Sequence, residues 1–373
     1  MKYFIIAGEQ SGDLHGSNLI RGLYSSDTKA EIVCWGGDLM EEAGAKLLMH
    51  YNKTAVMGFI AVLKNLPAIS KNLELCKKNI KEFNPDVVIF IDYPGFNLRI
   101  AEFAKNAGYR TFYYISPKFW AWNEGRVSKV KKFIDRMFII FPFETNFYRV
   151  HGIDVEYMGN PLVDEIAKRN ELMPPKNEIL RSLNLEGKPV IAVLAGSRKH
   201  EIEYGLPVMI KAMHHFPEYQ FVLAGVRNIS DDFYKKITGN NDIRLIKEKT
   251  YEILHVAEAA LVTSGTATLE AALHGTPQVV CYKGDFISML IGWIVIKVKH
   301  ISLVNLIMNA EIVRELVQYD LTEDNIVKEL RAILPGGERR EKMLTGYEEL
   351  RKTLGPAGAS ARIASGMVNE LRN

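Results

Sequence analysis

Asp92 closes an apolar run in "IDYPGFN" (residues 91–97), and Pro94 follows two residues later. A carboxylate released there can act as a general base or an orienting acid. It can equally cap a helix or hold a turn. A second polar cluster follows the first apolar run, in "AGEQSGDLHG" (residues 7–16), where Glu9, Ser11, Asp13 and His15 sit among Gly8, Gly12 and Gly16. The glycine spacing differs from the dinucleotide pattern G-x-G-x-x-G and lacks the Gly-Lys of a P-loop. Glycines there permit a tight turn and a close helix–sheet approach. So many polar side chains exceed what a structural turn requires, which points to a site.

Two later clusters suit anionic and hydroxylated ligands. "LAGSRKHEI" (residues 194–202) ends a run in Gly196, Ser197 and Arg198. Small residues offer backbone N–H groups to a phosphate, and arginine offers a bidentate fork. In "SGTATLE" (residues 264–270), Gly265 ends a run and Thr266 can begin a helix, whose free N–H groups would seat a diphosphate. Glu270 lies about one turn inside that helix. Its carboxylate can accept hydrogen bonds from two vicinal hydroxyls, as on a ribose, or it can pack against an arginine. The stretch "YYISPKFWAWNEGRVSKVKK" (residues 113–132) interleaves aromatics and cations. It fits a sugar platform on Trp120 or Trp122, a nucleic-acid contact, or a solvated helical face. No G-x-S-x-G is present, and no His or Cys group has metal-ligand spacing, so neither a serine hydrolase nor a metal site is expected.

These clusters need a scaffold, and the apolar runs supply it. "YFIIAG", "EIVCWGG", "PDVVIFID", "RTFYYISP", "RMFIIFPF" and "VEYMGNP" read as strands separated by helical segments. After a polar stretch containing Pro174 and Pro175, the pattern restarts with "PVIAVLAGSR", "QFVLAGV", "IRLIKE", "AALVTSG" and "PQVVCY". Apolar strands without alternation, separated by helices, predict parallel sheets covered on both faces. The expectation is α/β, with two doubly wound Rossmann-like domains facing a central cleft. The first spans residues 1–165, a linker 166–188, the second domain 189–350 and a terminal helical segment 351–373. Ile363, Met367 and Leu371 make that last helix amphipathic, so it should pack back on the first domain or on a partner chain.

Composition narrows the function. The 373 residues include 47 Lys plus Arg against 44 Asp plus Glu, a net charge of +3, which argues against nucleic acid as partner. The odd set Cys34, Cys76 and Cys281 suggests a reducing cytoplasm. The amino-terminal apolar stretch is too short for a signal peptide, and no run reaches the length of a membrane span. The longest apolar run, "FISMLIGWIVIKVKH" (residues 286–300), reads as a buried helix or as a surface touching a membrane or acyl chain.

Eight blocks, "AGEQSGDLHGSNLI", "AVMGF", "IDYPGFN", "YISPKFWAW", "FPFE", "AGSRKHEI", "TSGTATLE" and "SLVNLI", follow one another between Ala7 and about Gln318. Together they resemble the lipid-A-disaccharide synthase family, which is similar to other inverting two-domain glycosyltransferases of the GT-B type. The resemblance implies transfer of 2,3-diacylglucosamine from its UDP derivative to 2,3-diacylglucosamine 1-phosphate (lipid X). The products would be the β-1,6-linked disaccharide 1-phosphate and UDP. It also implies a peripheral protein on the cytoplasmic face of the inner membrane, with the UDP-sugar as substrate and no cofactor or metal. A homodimer through the C-terminal helices is compatible with it. Carried over, Asp92 matches the general base, and Glu9 and Ser11 match a loop facing the reacting sugar. Arg198 with Ser197 lies near the phosphates, Gly265 and Thr266 form the diphosphate seat, Glu270 holds the ribose, and Asn305 serves the donor site. Val304 replaces a common proline, "GGDLM" (residues 36–40) replaces a Gly-Pro-x-Met pattern, and Phe119 stands where a smaller residue is common. The other readings are a UDP-N-acetylhexosamine epimerase or hydrolase, and a non-catalytic sugar-nucleotide or lipid-binding protein.

Overall fold

The computed structural model describes residues 1–53, 66–122, 124–284 and 299–373. The chain divides into two units, Met1–Asp164 with Pro356–Asn373, and Glu165–Gly355. The block "AVMGF" and most of the apolar run 286–300 lie outside the described residues.

In the first unit the apolar runs become β1 (Lys2–Ala7), β2 (Glu31–Gly36), β4 (Val87–Ile91), β5 (Arg110–Tyr114), β6 (Arg136–Ile139) and β7 (Val155–Tyr157), with β3 at Lys46–His50. All described strand neighbours are parallel, in the order β3-β2-β1-β4-β5-β6-β7. Every residue of β4, "VVIFI", is buried, as expected of a strand covered on both faces. Phe4, Ile6, Val88, Phe90, Tyr113 and Met137 join in one core with Ile100 and Ala101 of the helix Pro94–Asn106.

The second unit repeats the plan with β8 (Val190–Leu194), β9 (Gln220–Gly225), β10 (Ile243–Lys247), β11 (Ala257–Thr263), β12 (Gln278–Tyr282) and β13 (Arg314–Val317). Its order is β10-β9-β8-β11-β12-β13, again parallel. Both sheets are therefore doubly wound.

The structure departs from the sequence reading in three places. First, β3 and β13 were not visible as strands. Both lie at sheet edges, where a strand is half-exposed and loses its continuous apolar signature. Second, residues 166–188 are not a loose linker: Ile179 and Leu185 are buried in the second unit's core, beside Val190. Third, position 351 falls inside the helix Arg340–Leu354, whose Tyr347 and Leu350 are buried, so the chain leaves the second unit at Gly355 instead.

The terminal helix Ala359–Arg372 packs on the helix Gln10–Ser26. Gly22 allows this closeness, since a β-carbon there would lie 2.7 Å from that of Ala364. Asp164 accepts hydrogen bonds from the N–H groups of Gly358, Ala359 and Ser360 at 2.7–2.9 Å, capping the helix. Ile363 and Met367 are buried by this packing. The apolar stripe that suggested contact with a second copy is thus occupied within its own unit.

Strand order reverses between β1 and β4 in the first unit, and between β8 and β11 in the second. In open parallel sheets the loops leaving the strands diverge at such a reversal and leave a crevice at the carboxyl ends. Glu9 and Ser11 follow β1, and Asp92 follows β4. Ser197 and Arg198 follow β8, and Gly265 and Thr266 follow β11.

Candidate active site

The reversal in the first unit brings three sequence-read residues to one place. Asp92 lies beyond β4, and its backbone N–H donates to Tyr114 O at 3.1 Å, extending the pairing with β5. Burial pushes the Asp92 carboxyl from 3.8 up to about 6. The Lys118 cation opposes this shift, the negative Glu9 adds to it, and the Tyr93 N–H opposes it by hydrogen bonding. Ser11 Oγ donates to Glu9 Oε1 at 2.7 Å, so these two form one polar pair at the start of the helix Gln10–Ser26. The two loops interlock through Gly8: a β-carbon there would lie 2.2 Å from Cδ1 of the Tyr93 ring. That glycine is needed for closeness, as its position after a strand suggested.

Asp13 belongs to the frame. It is buried and accepts from the N–H groups of Gly37 (2.8 Å), Leu39 (3.1 Å) and Met40 (3.1 Å). It therefore satisfies the open amino end of the short helix Asp38–Glu42 from the neighbouring helix Gln10–Ser26.

The loop after β5 is fixed by a buried acid. Glu144 accepts from Ser116 Oγ, from Trp120 Nε1 at 3.0 Å and from Phe141 N–H at 3.1 Å. Burial raises its carboxyl from 4.5 to about 7, against those three donors. Pro117 and Phe119 are buried, and Lys118 between them is exposed. Trp120 is committed to Glu144 and to an edge contact with Phe143 at 4.9 Å, which limits it as a free sugar platform. In the helix Val127–Phe133, Val127, Val130 and Phe133 face inward and the lysines outward, the solvated-face reading of that segment.

In the second unit the reversal gathers Ser197, Arg198, Gly265 and Thr266, all exposed. Gly196 takes φ +108°, which turns the chain so that Glu201 can accept from the N–H groups of Ser197 (3.1 Å) and Arg198 (3.2 Å). The backbone donors expected to meet a phosphate are thus held by a carboxylate here. The Arg198 guanidinium has one long contact to Glu201, at 3.4 Å, and is otherwise 69% exposed, so its fork is available to a ligand. The helix Thr266–His274 begins with no side-chain cap and ends at Gly275 with φ +77°.

Glu270 sits within that helix, half-buried. Burial raises its carboxyl from 4.5 to about 7, opposed by the Arg169 charge and by a hydrogen bond from Tyr251. Arg169 lies 4.6 Å over the Tyr251 ring and pairs with Glu165 at 2.5 Å. An arginine therefore does stand behind Glu270, through Tyr251, which positions the carboxylate without consuming it. Asn305 is placed differently from its expected ligand role. It is fully buried; its Nδ2 donates to Val313 O and Glu315 Oε1, both at 2.8 Å, and its Oδ1 accepts from Ile312 (2.8 Å) and Val313 (3.0 Å). All four amide positions are used inside the protein, and none remains for a donor sugar.

Comparison with known proteins is decisive at this point. The family model for lipid-A-disaccharide synthetase matches residues 3–363. The lipid-A-disaccharide synthase of Syntrophus aciditrophicus is 39% identical, covering 96% of this chain and 95% of its own. That of Geobacter sulfurreducens is 34% identical over 99% and 97%. The chain belongs to the lipid-A-disaccharide synthase family. It is a glycosyltransferase of that family, on two Rossmann-like domains. Its fold is shared with the UDP-GlcNAc 2-epimerase from Neisseria meningitidis bound to UDP-GlcNAc, at a TM-score of 0.71, 14% identity, and coverage of 99% and 100%.

Sequence reasoning within this family missed Lys118, Tyr251 and Arg169. Lys118 lies inside the mixed run of residues 113–132, and its effect on Asp92 depends on β4 and β5 being neighbours. Glu144 had a signal, an acid directly after the apolar run "FIIFPF", but it was read only as part of a family block. Among the described residues, no group of three or more His, Cys, Asp or Glu could hold a metal ion, and no helix is long and apolar enough to cross a membrane.

Proposed function

We propose that the chain transfers 2,3-diacylglucosamine from UDP-2,3-diacylglucosamine to the 6-hydroxyl of 2,3-diacylglucosamine 1-phosphate, with Asp92 as general base. Asp92 takes the hydroxyl proton as the oxygen attacks the sugar C1 from the face opposite UDP, which gives the β-linkage. Glu9 and Ser11 contact the reacting sugar. In the second unit, Arg198 and the amino end of the helix Thr266–His274 meet the departing diphosphate. Glu270, held by Tyr251, accepts the ribose hydroxyls. Asn305 acts only indirectly, by fixing the segment around Ser302 and Val313.

One observation carries this reading: Asp92, Glu9 and Ser11 gather at the strand-order reversal of one sheet, and Ser197, Arg198 and Thr266 at that of the other. The raised Asp92 carboxyl supports its role, since a base near pH 6 is ionised at neutrality and still holds a proton well.

The test is incubation of purified protein with UDP-diacylglucosamine, with and without lipid X, read by mass spectrometry. The disaccharide 1-phosphate and UDP are expected only when lipid X is present. Release of UDP without acceptor points to a hydrolase or epimerase, and binding without turnover to a non-catalytic protein. The chain works, in this reading, on the cytoplasmic face of the inner membrane, where both lipid substrates reside. Flotation with anionic liposomes tests that, and a protein remaining wholly in the aqueous fraction refutes it.

A further inference from the structure

We infer that Asn97 and Tyr113 are positioning residues that hold Asp92 in its working orientation by clamping its backbone carbonyl. The inference rests on the reading of Asp92 as the base. Asp92 and Tyr93 are consecutive left-handed residues, at φ 42° and 49°. Bulky side chains disfavour that conformation, which persists only where the surroundings over-determine it.

The surroundings here are specific. Asn97 is fully buried, and its Nδ2 donates to Asp92 O at 2.8 Å and to Ile91 O at 3.2 Å. Tyr113 is fully buried, and its hydroxyl donates to the same Asp92 carbonyl. The Asp92 N–H is held by Tyr114 O, and the Tyr93 ring is seated against Gly8. Both backbone polar groups of Asp92 are thus fixed, while its part-buried carboxylate takes a hydrogen bond from the Tyr93 N–H. A turn serving only to reverse the chain would use glycine at Asp92 and apolar residues at the two buried positions, because burying polar groups is costly. Two buried side chains aimed at one carbonyl set the direction of the carboxylate.

Tyr113→Phe and Asn97→Ser test this, with Asp92→Asn as reference and Tyr3→Phe as control. Tyr3 is also fully buried in the first sheet, but its hydroxyl donates to Asp27 at 3.1 Å. Tyr113→Phe is expected to lower kcat about tenfold or more, because small misplacements of reacting groups are costly. Its KM for the UDP-sugar should stay within about twofold, and the acid limb of its pH–kcat profile should move down as the carboxylate gains water. Tyr3→Phe should lose similar stability and keep its kcat. Wild-type kcat and pH profile in Tyr113→Phe, with Asp92→Asn inactive, overturns the clamp alone. Full activity in Asp92→Asn removes the base reading, and the clamp with it. Should Asn97→Ser fail to fold, Tyr113→Phe decides by itself.

Discussion

Asp92→Asn should make the protein more stable at neutral pH while abolishing transfer. Burial raises the Asp92 carboxyl from 3.8 to about 6, so the folded state holds this proton more tightly than the unfolded chain. Between those values the native state binds more protons, and stability falls as pH rises. Well below 3.8 the group is neutral in both states and costs nothing. Above pH 6 the cost is complete: about two pK units at roughly 1.4 kcal/mol each, or about 3 kcal/mol. Asparagine never ionises and avoids this cost. It also exchanges one acceptor oxygen for an amide donor, which returns about 1 kcal/mol against it. Urea unfolding of both proteins from pH 4 to pH 8 reads the difference. The wild type should lead by about 0.5 kcal/mol at pH 4, and the variant by about 2 kcal/mol at pH 7.5. Transfer should drop at least 100-fold with UDP affinity retained. A difference that stays constant across pH, or one that moves in favour of the wild type as pH rises, refutes the reasoning.

Lys118→Met removes the cation that opposes the Asp92 shift, so the acid limb of the pH–rate profile should move above 6, and Lys118→Arg should restore it. Gly8→Ala drives a methyl group to 2.2 Å from the Tyr93 ring; it should cost about 1–3 kcal/mol in unfolding experiments and lower kcat, and an unaffected kcat would separate Tyr93 from the site. Ribose hydroxyls donating to Glu270 would favour its ionised form, so UDP binding near pH 7 should release protons, measurable by calorimetry in buffers of different ionisation enthalpy. Tyr251→Phe removes a hydrogen bond that also favours ionisation, and should weaken UDP binding at pH 7 more than at pH 8.5.

The strands of both sheets were legible where they are buried on two faces, because "VVIFI" or "VIAVL" leaves no polar position to confuse the pattern. Two edge strands, "VEYMGNP" and "IRLIKE", could still be read, but the other two could not: "KLLMH" and "RELV" are half-exposed and mix polar with apolar cues. Asp92, Glu9, Arg198 and Thr266 could be selected because polar residues directly after apolar runs must lie at strand ends. Lys118, Tyr251 and Arg169 could not, since their relevance comes from strand order and from contacts between distant segments. Asn305 shows the reverse limit. A motif match points to a position, and only the hydrogen bonds reveal that its amide serves the neighbouring backbone.

Asp92 and Glu270 share a chemical origin, a carboxyl raised by burial to about 6 and about 7, yet their surroundings suit them to different work. Asp92 has its backbone fixed, and its carboxylate feels the Lys118 cation and a hydrogen bond from the Tyr93 N–H, with no side-chain hydrogen bond among the causes of its shift. With one backbone donor and no side-chain donor it keeps lone pairs open for a proton, and the Lys118 cation favours its ionised form. Glu270 receives a hydroxyl from Tyr251, which is itself covered by Arg169, and so is held in one direction. A group so tethered is preorganised as an acceptor for fixed hydroxyls. The proposed division of labour, base at Asp92 and ribose acceptor at Glu270, therefore rests on what touches each carboxylate, since burial alone makes them nearly alike.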